Sequence, residues 1–199
     1  MIIQHILIAL YQNFWFGLVF AVLASLVCLY AHDIGLKPMM KRWLDSVKNN
    51  KKFRNLTYFL FYSAMIAMKT LLNRTVWKNP LADVWGVWGL YDSKGQLTTE
   101  SIENLLLFVP FIFLLLCVKE ERIGESVRFS AIKSAMFSMK ISFCTSLCIE
   151  LLQLLLRLGT FQFSDLFFNT LGGLVGGLLY YLKEMIGVKK RNEKTGKLD

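Results

Sequence analysis

Five apolar blocks decide what this chain folds into. They cover Phe14–Ala31, Thr57–Leu72, Ile102–Val118, Ser134–Leu156 and Leu166–Leu182. Blocks of about 17–25 residues match a hydrocarbon core about 30 Å thick at 1.5 Å per helical residue. The second is the shortest and carries Lys69 near its end, where an ammonium snorkels on its apolar stem. The apolar residues run together instead of recurring at amphipathic spacing, as an ordinary soluble domain would require. The reading is an all-α, polytopic membrane helix bundle with about five transmembrane helices.

The charge distribution orients it. Of 23 lysines and arginines, 17 fall in segments 37–54, 119–133 and 183–197, which a five-span chain places on one side. Arg74, Lys78, Lys94 and Arg157 fall on the other. Such a bias puts the cationic side in the cytoplasm, the N-terminus outside and the C-terminal tail inside. Attraction to anionic lipid is a sufficient use for the net charge of +9, so nucleic acid is not an expected partner. The first cation is Lys37, so the basic start of a cleavable signal peptide is missing, and insertion is expected to use the spans themselves. Residues 1–13 suit either a tilted start to the first helix or a segment lying at the outer interface.

The expected organisation is an N-terminal helix and basic cytoplasmic loop over 1–56, a membrane core over 57–183 and a basic tail over 184–199. Within the loop, K-R-W-L-D-S-V-K fits a short amphipathic helix at the inner surface, with Trp43 and Leu44 in the headgroup zone. The longest external loop, Asn73–Ser101, carries Trp77, Trp85, Trp88 and Tyr91. These are interfacial anchors, or else an aromatic platform under a sugar or lipid headgroup. Cys28, Cys117, Cys144 and Cys148 all fall inside spans, where they behave as small apolar residues and disulfides are not expected.

Polar residues inside the spans carry the functional question. A carboxylate near the bilayer centre costs roughly 2.5–3.5 kcal/mol on insertion scales, so Glu150 needs a reason to be there. Ser142, Ser146, Glu150, Gln153 and Arg157 recur at spacings of four, four, three and four, which is one stripe of a helix. The fifth span opens with Asp165 and Asn169 on one face, followed by Gly172, Gly173, Gly176 and Gly177 as overlapping small-xxx-small pairs for helix packing. Asp165, or Ser164 before it, also suits capping of that helix. The third span brings Glu103 and Asn104 to its external end and holds Pro110 inside. With three helices sending polar groups to one depth, an outward-facing pocket of Asn104, Glu150, Gln153, Arg157, Asp165 and Asn169 is expected.

Several chemistries are excluded. The chain has no H-E-x-x-H, G-x-x-x-x-G-K-[ST], G-x-S-x-G or C-x-x-C, and His5 and His32 lie far from these residues in sequence. No catalytic residue, resident metal or cofactor is assigned.

The strings E-N-L-L-L-F-V-P-F (103–111), E-L-L-Q (150–153) and D-L-F-F-N-T-L-G-G-L-V-G (165–176) occur in the order typical of the VanZ-like family of bacterial membrane proteins, which this chain resembles from about Tyr58 to Leu182. Arg74 resembles a further family position. Ile112 stands where the family often has glycine, and Gln162 where an acid often precedes the Asp165 position. The family's namesake is linked to resistance to teicoplanin, a lipid-tailed glycopeptide that targets cell-wall precursors. The resemblance therefore implies a multi-pass cell-membrane protein that lowers sensitivity to such a drug, with Asn104, Glu150, Gln153, Asp165 and Asn169 as its site. Its partners would be the lipid bilayer and either a lipid-linked wall precursor or the lipoglycopeptide. The alternative is an intramembrane enzyme on a lipid-linked substrate, with Glu150 and Asp165 as acid/base or metal-binding pair.

Overall fold

A computed structural model describes Leu23, Val27, Tyr30, His32 and residues 34–72, 77–91, 95, 97–123 and 131–195. The first expected span and residues 1–13 lie largely outside the described residues. Among the described residues the chain is all-α, with helices α1 (Leu36–Asn49), α2 (Lys51–Ala67), α3 (Glu100–Ile123), α4 (Ala131–Leu156) and α5 (Phe163–Thr195). Tyr91 and Leu97 make an isolated antiparallel bridge, and no strand occurs among the described residues. Two stretches, Glu100–Lys119 of α3 and all of α4, are long and apolar enough to cross a membrane.

The chain forms two compact units: Met1–Ala82 with Leu151–Phe161, and Asp83–Glu150 with Gln162–Asp199. In the first, Asn50 separates α1 from α2 with an extended backbone, and its side chain accepts from the Phe53 amide at 3.2 Å as the cap of α2. The C-terminal end of α2 loosens into a π-helical turn over Met68–Leu72. That turn offers the Thr70 carbonyl to the Gln153 amide at 2.7 Å, an example of π-turn backbone serving a specific bond.

The end of α4 departs from the expected stripe. Leu158 N donates to Gln153 O and Arg157 N to Leu154 O, which is the paired bonding of a Schellman motif. Its left-handed position is occupied by Arg157 (φ 55), where glycine is the usual residue. The helix therefore stops at Leu156, and the Arg157 side chain is exposed instead of continuing the buried line. The Arg157 carbonyl accepts from Trp77 N at 2.8 Å, and Pro80 O accepts from Phe161 N at 2.9 Å.

The second unit is built on the double-glycine pattern of α5. A Cβ added to Gly172 or Gly176 would overlap the Leu105 or Val109 carbonyl of α3. One added to Gly173 or Gly177 would overlap the hydroxyl of Ser142 or Ser138 on α4. G-G-x-x-G-G thus makes two adjacent small faces, one for each neighbour, and allows backbone-level approach on both. The matching face of α4 is Ser134, Ser138, Ser142 and Ser146, one per turn and all essentially inaccessible. Ser134 Oγ donates to Gly177 O at 3.3 Å, and Ser138 Oγ back-bonds to Ser134 O at 2.7 Å. Phe108 and Ile112 fill the α3 side of the core, with Leu116, Leu166 and Tyr180 buried around them.

Candidate functional site

The N-terminus of α5 gathers most of the polar residues expected from the sequence. The first amides of any helix lack intrahelical partners, and here those of Gln162, Phe163 and Ser164 are met by other segments. Gln162 N donates to Glu150 Oε2 at 3.0 Å, Phe163 N to Val84 O at 2.8 Å and Ser164 N to Trp85 O at 3.3 Å. Glu150, only 2% exposed, therefore reaches from α4 to the positive end of the α5 dipole. This bond and that field offset part of the cost of a buried carboxylate.

The carbonyls of Val84 and Trp85 are aimed by a tight turn. Asp83 Oδ1 accepts from Gly86 N at 3.2 Å, and Gly86 has φ 68, which a side chain resists. A Cβ there would overlap Ser164 Oγ and lie 2.9 Å from Gln162 Oε1. The D-V-W-G turn is thus a clasp laid directly on the start of α5. Sequence reasoning missed it, although Asp followed three residues later by Gly is a recognisable turn signal.

Asp165 lies in the first turn of α5 and is nearly buried. Its Oδ1 accepts from Asn104 Nδ2 of α3 at 2.7 Å and from Ser164 Oγ at 3.5 Å. One turn further on, Asn169 Nδ2 donates to Ser146 Oγ of α4 at 2.8 Å. Asn169 Oδ1 is buried and has no hydrogen-bond partner among the described residues. Three helices thus contribute Asn104, Ser146, Glu150, Asp165 and Asn169 to one end of this unit. Around that end, Trp85 packs on Phe163 with ring centroids 5.7 Å apart, and Trp88 on Phe167 at 5.4 Å. Both indoles keep much of their surface exposed.

The remaining expected residues separate from this group. Gln153 makes its bond to Thr70 within the first unit, and Arg157 contributes its backbone there. Glu103 is exposed and accepts from the Thr99 hydroxyl at 2.7 Å, at the start of α3. Cys117 is buried and its Sγ accepts from Lys183 Nζ at 3.6 Å, while Cys144 and Cys148 are exposed on α4. Among the described residues no three His, Cys, Asp or Glu side chains gather to hold a metal ion.

Two apolar stretches of spanning length, packed through glycine and serine with buried carboxylates and amides at one end, have the character of a membrane-associated protein. A model of the VanZ/LLP1 family matches residues 14–184. The chain belongs to that family. No curated protein and no solved structure gave a significant match.

Proposed function

We propose that this VanZ/LLP1 protein is a multi-pass protein of the bacterial cell membrane that lowers sensitivity to lipoglycopeptide antibiotics of the teicoplanin type. In the proposed topology five helices span the bilayer, the N-terminus lies outside and the basic tail lies in the cytoplasm. The α3 and α5 N-termini then face outward, and the polar group around Asp165 opens just under the outer headgroups. There it binds an amphiphile, either a lipid-linked wall precursor or the drug itself. The apolar tail of the ligand lies along the spans, and its polar end meets Asp165, Asn104 and Asn169 beneath the exposed indoles of Trp85 and Trp88.

The observation that carries this reading is the 2.7 Å bond from the Asn104 amide to the Asp165 carboxylate, with a buried acceptor on Asn169 one turn away. Packing and capping account for the serines and for Glu150, and the α5 dipole favours an acid at Asp165, but neither calls for an Asn104 amide aimed at it from another helix. The test is Asp165→Ala expressed in a sensitive host, with protein in the membrane fraction followed by immunoblot. Tolerance to teicoplanin should fall towards that of the empty host. Tolerance to a glycopeptide without a lipid tail should not change. Full teicoplanin tolerance at normal accumulation would refute the assignment.

A further inference from the structure

Helix α1 has no buried residue, although six of its 14 residues are apolar. Leu36, Met40, Trp43 and Leu44 are each more than two-fifths exposed, at spacings of four, three and one. With Met39 and Val47 they occupy an arc of about 140° at 100° per residue. Lys37, Lys41 and Lys48 fall together within about 40° along one edge of that arc. Pro38, Arg42, Asp45, Ser46 and Asn49 take the opposite side, and Asp45 is the only acid in the helix. At 14 residues with four cations, α1 is too short and too charged to span a bilayer. Its C-terminal end is fixed, because Arg54 Nη1 donates to Lys48 O at 3.2 Å, and the extended Asn50 breaks the axis before α2.

From this juxtaposition we infer that α1 is a binding surface for anionic lipid. Its apolar arc sinks to the level of the acyl chains, and Lys37, Lys41 and Lys48 meet phosphate along one edge. Charge selects this occupant. Three ammonium groups beside an apolar strip match a headgroup layer of negative charge over hydrocarbon. An apolar protein groove would leave those groups to be desolvated. The inference is independent of the Asp165 site and concerns how the chain engages the leaflet its cations face.

Each lysine at an anionic surface is worth about a fivefold factor, so the three together give on the order of a hundredfold. The experiment is hydrogen exchange of the full chain in nanodiscs of phosphatidylcholine alone, or with one third phosphatidylglycerol. Amides of residues 36–49 should become at least tenfold better protected in the anionic discs, and half-molar salt should remove the difference. The variant Lys37→Gln/Lys41→Gln/Lys48→Gln should lose it, and the same three sites changed to Arg should keep it. Unchanged protection of α3 and α5 confirms that each variant is folded. Equal protection in the two lipid mixtures overturns the inference. So does protection that rises with protein density in the disc, which would assign the face to a second copy of the chain.

Discussion

Replacing Gly173 by alanine tests whether the seam between α4 and α5 is as close as described. In an open helix the change gains about 1 kcal/mol, because alanine is the better helix former. At Gly173 the new Cβ would overlap Ser142 Oγ, lie 2.5 Å from Ser142 Cβ and 3.2 Å from Ser138 O. Carbon atoms rest about 3.5–4.0 Å apart, so the helices must part by about 1 Å. Parting also stretches the 2.8 Å bond between Asn169 and Ser146. Overpacking of this kind costs about 1–3 kcal/mol. Ser142 Cβ is fixed to the α4 backbone and the Ser138 carbonyl belongs to it, so the upper end applies, for a net loss of about 2 kcal/mol. At about 2–4 °C per kcal/mol for a chain of this size, the melting temperature in detergent should fall by about 4–8 °C. Gly187→Ala is the control, since a Cβ there meets nothing within 4 Å. It should leave the melting temperature unchanged or raise it slightly. The decisive variant is Gly173→Ala with Ser142→Gly, which removes the two atoms the new methyl strikes and costs only about 0.5 kcal/mol in helix propensity. It should regain most of the loss. If Gly173→Ala melts like Gly187→Ala, or Ser142→Gly fails to rescue it, the described seam is wrong.

Three further outcomes are expected. Gly86→Ala should open the D-V-W-G clasp, since φ 68 and the Ser164 hydroxyl both oppose a methyl group, and limited proteolysis should then cut within residues 77–91. Asn104→Leu should cost about 1.5–3 kcal/mol, the worth of a hydrogen bond to a charged group, whereas Asn104→Gln should keep part of it; thermal unfolding of the two variants decides. Arg157→Gly should keep the Schellman bonds while removing about 1 kcal/mol of left-handed strain, so the melting temperature should rise by a few degrees. Arg157→Val should lower it, because a β-branched side chain tolerates positive φ least.

Apolar length and glycine spacing made the helices legible in the sequence, because each is a local property. Thr57–Leu72, Ile102–Val118, Ser134–Leu156 and Leu166–Leu182 all lie within helical stretches, which outrun them most at the C-terminal end of α5, where the helix continues to Thr195. The G-G-x-x-G-G pattern announced close packing, but not that each pair serves a different neighbour, since that depends on where α3 and α4 stand. The polar stripe that the spacing predicts begins at Ser142. Ser134 and Ser138 continue it, yet a serine's hydroxyl can bond its own helix, so its burial leaves no trace in composition. Arg157 was misread because periodicity assumes the helix continues. A left-handed turn at a non-glycine residue is set by the bonds it completes, and the side chain gives no warning. Asp83 and Gly86 signal the turn at residues 83–86, but its role at the start of α5 leaves no signal for a related reason: the capping is done by backbone carbonyls, which every residue possesses.

The structure divides the buried polar residues of the second unit by what already explains them. Ser134, Ser138 and Ser142 are the small residues that α5 glycines require, and any side chain of that size would fit. Glu150 accepts from the backbone amide of Gln162, so replacing it disturbs the start of α5 whatever else it does. A loss of function on Glu150→Ala would therefore not separate binding from folding. Asp165 and Asn104 differ. A leucine pair of similar volume would join α3 to α5 without placing a carboxylate in an apolar unit, and such replacement of buried polar pairs is often neutral or stabilising. Stability alone thus gives no reason to keep them, and a double Asp165→Leu/Asn104→Leu variant should fold at least as well as the single Asn104→Leu. If that double variant accumulates normally, melts no lower and has lost drug tolerance, the pair is held for a ligand. If it still confers tolerance, the polar end of the second unit is architecture, and the binding surface lies elsewhere on the chain.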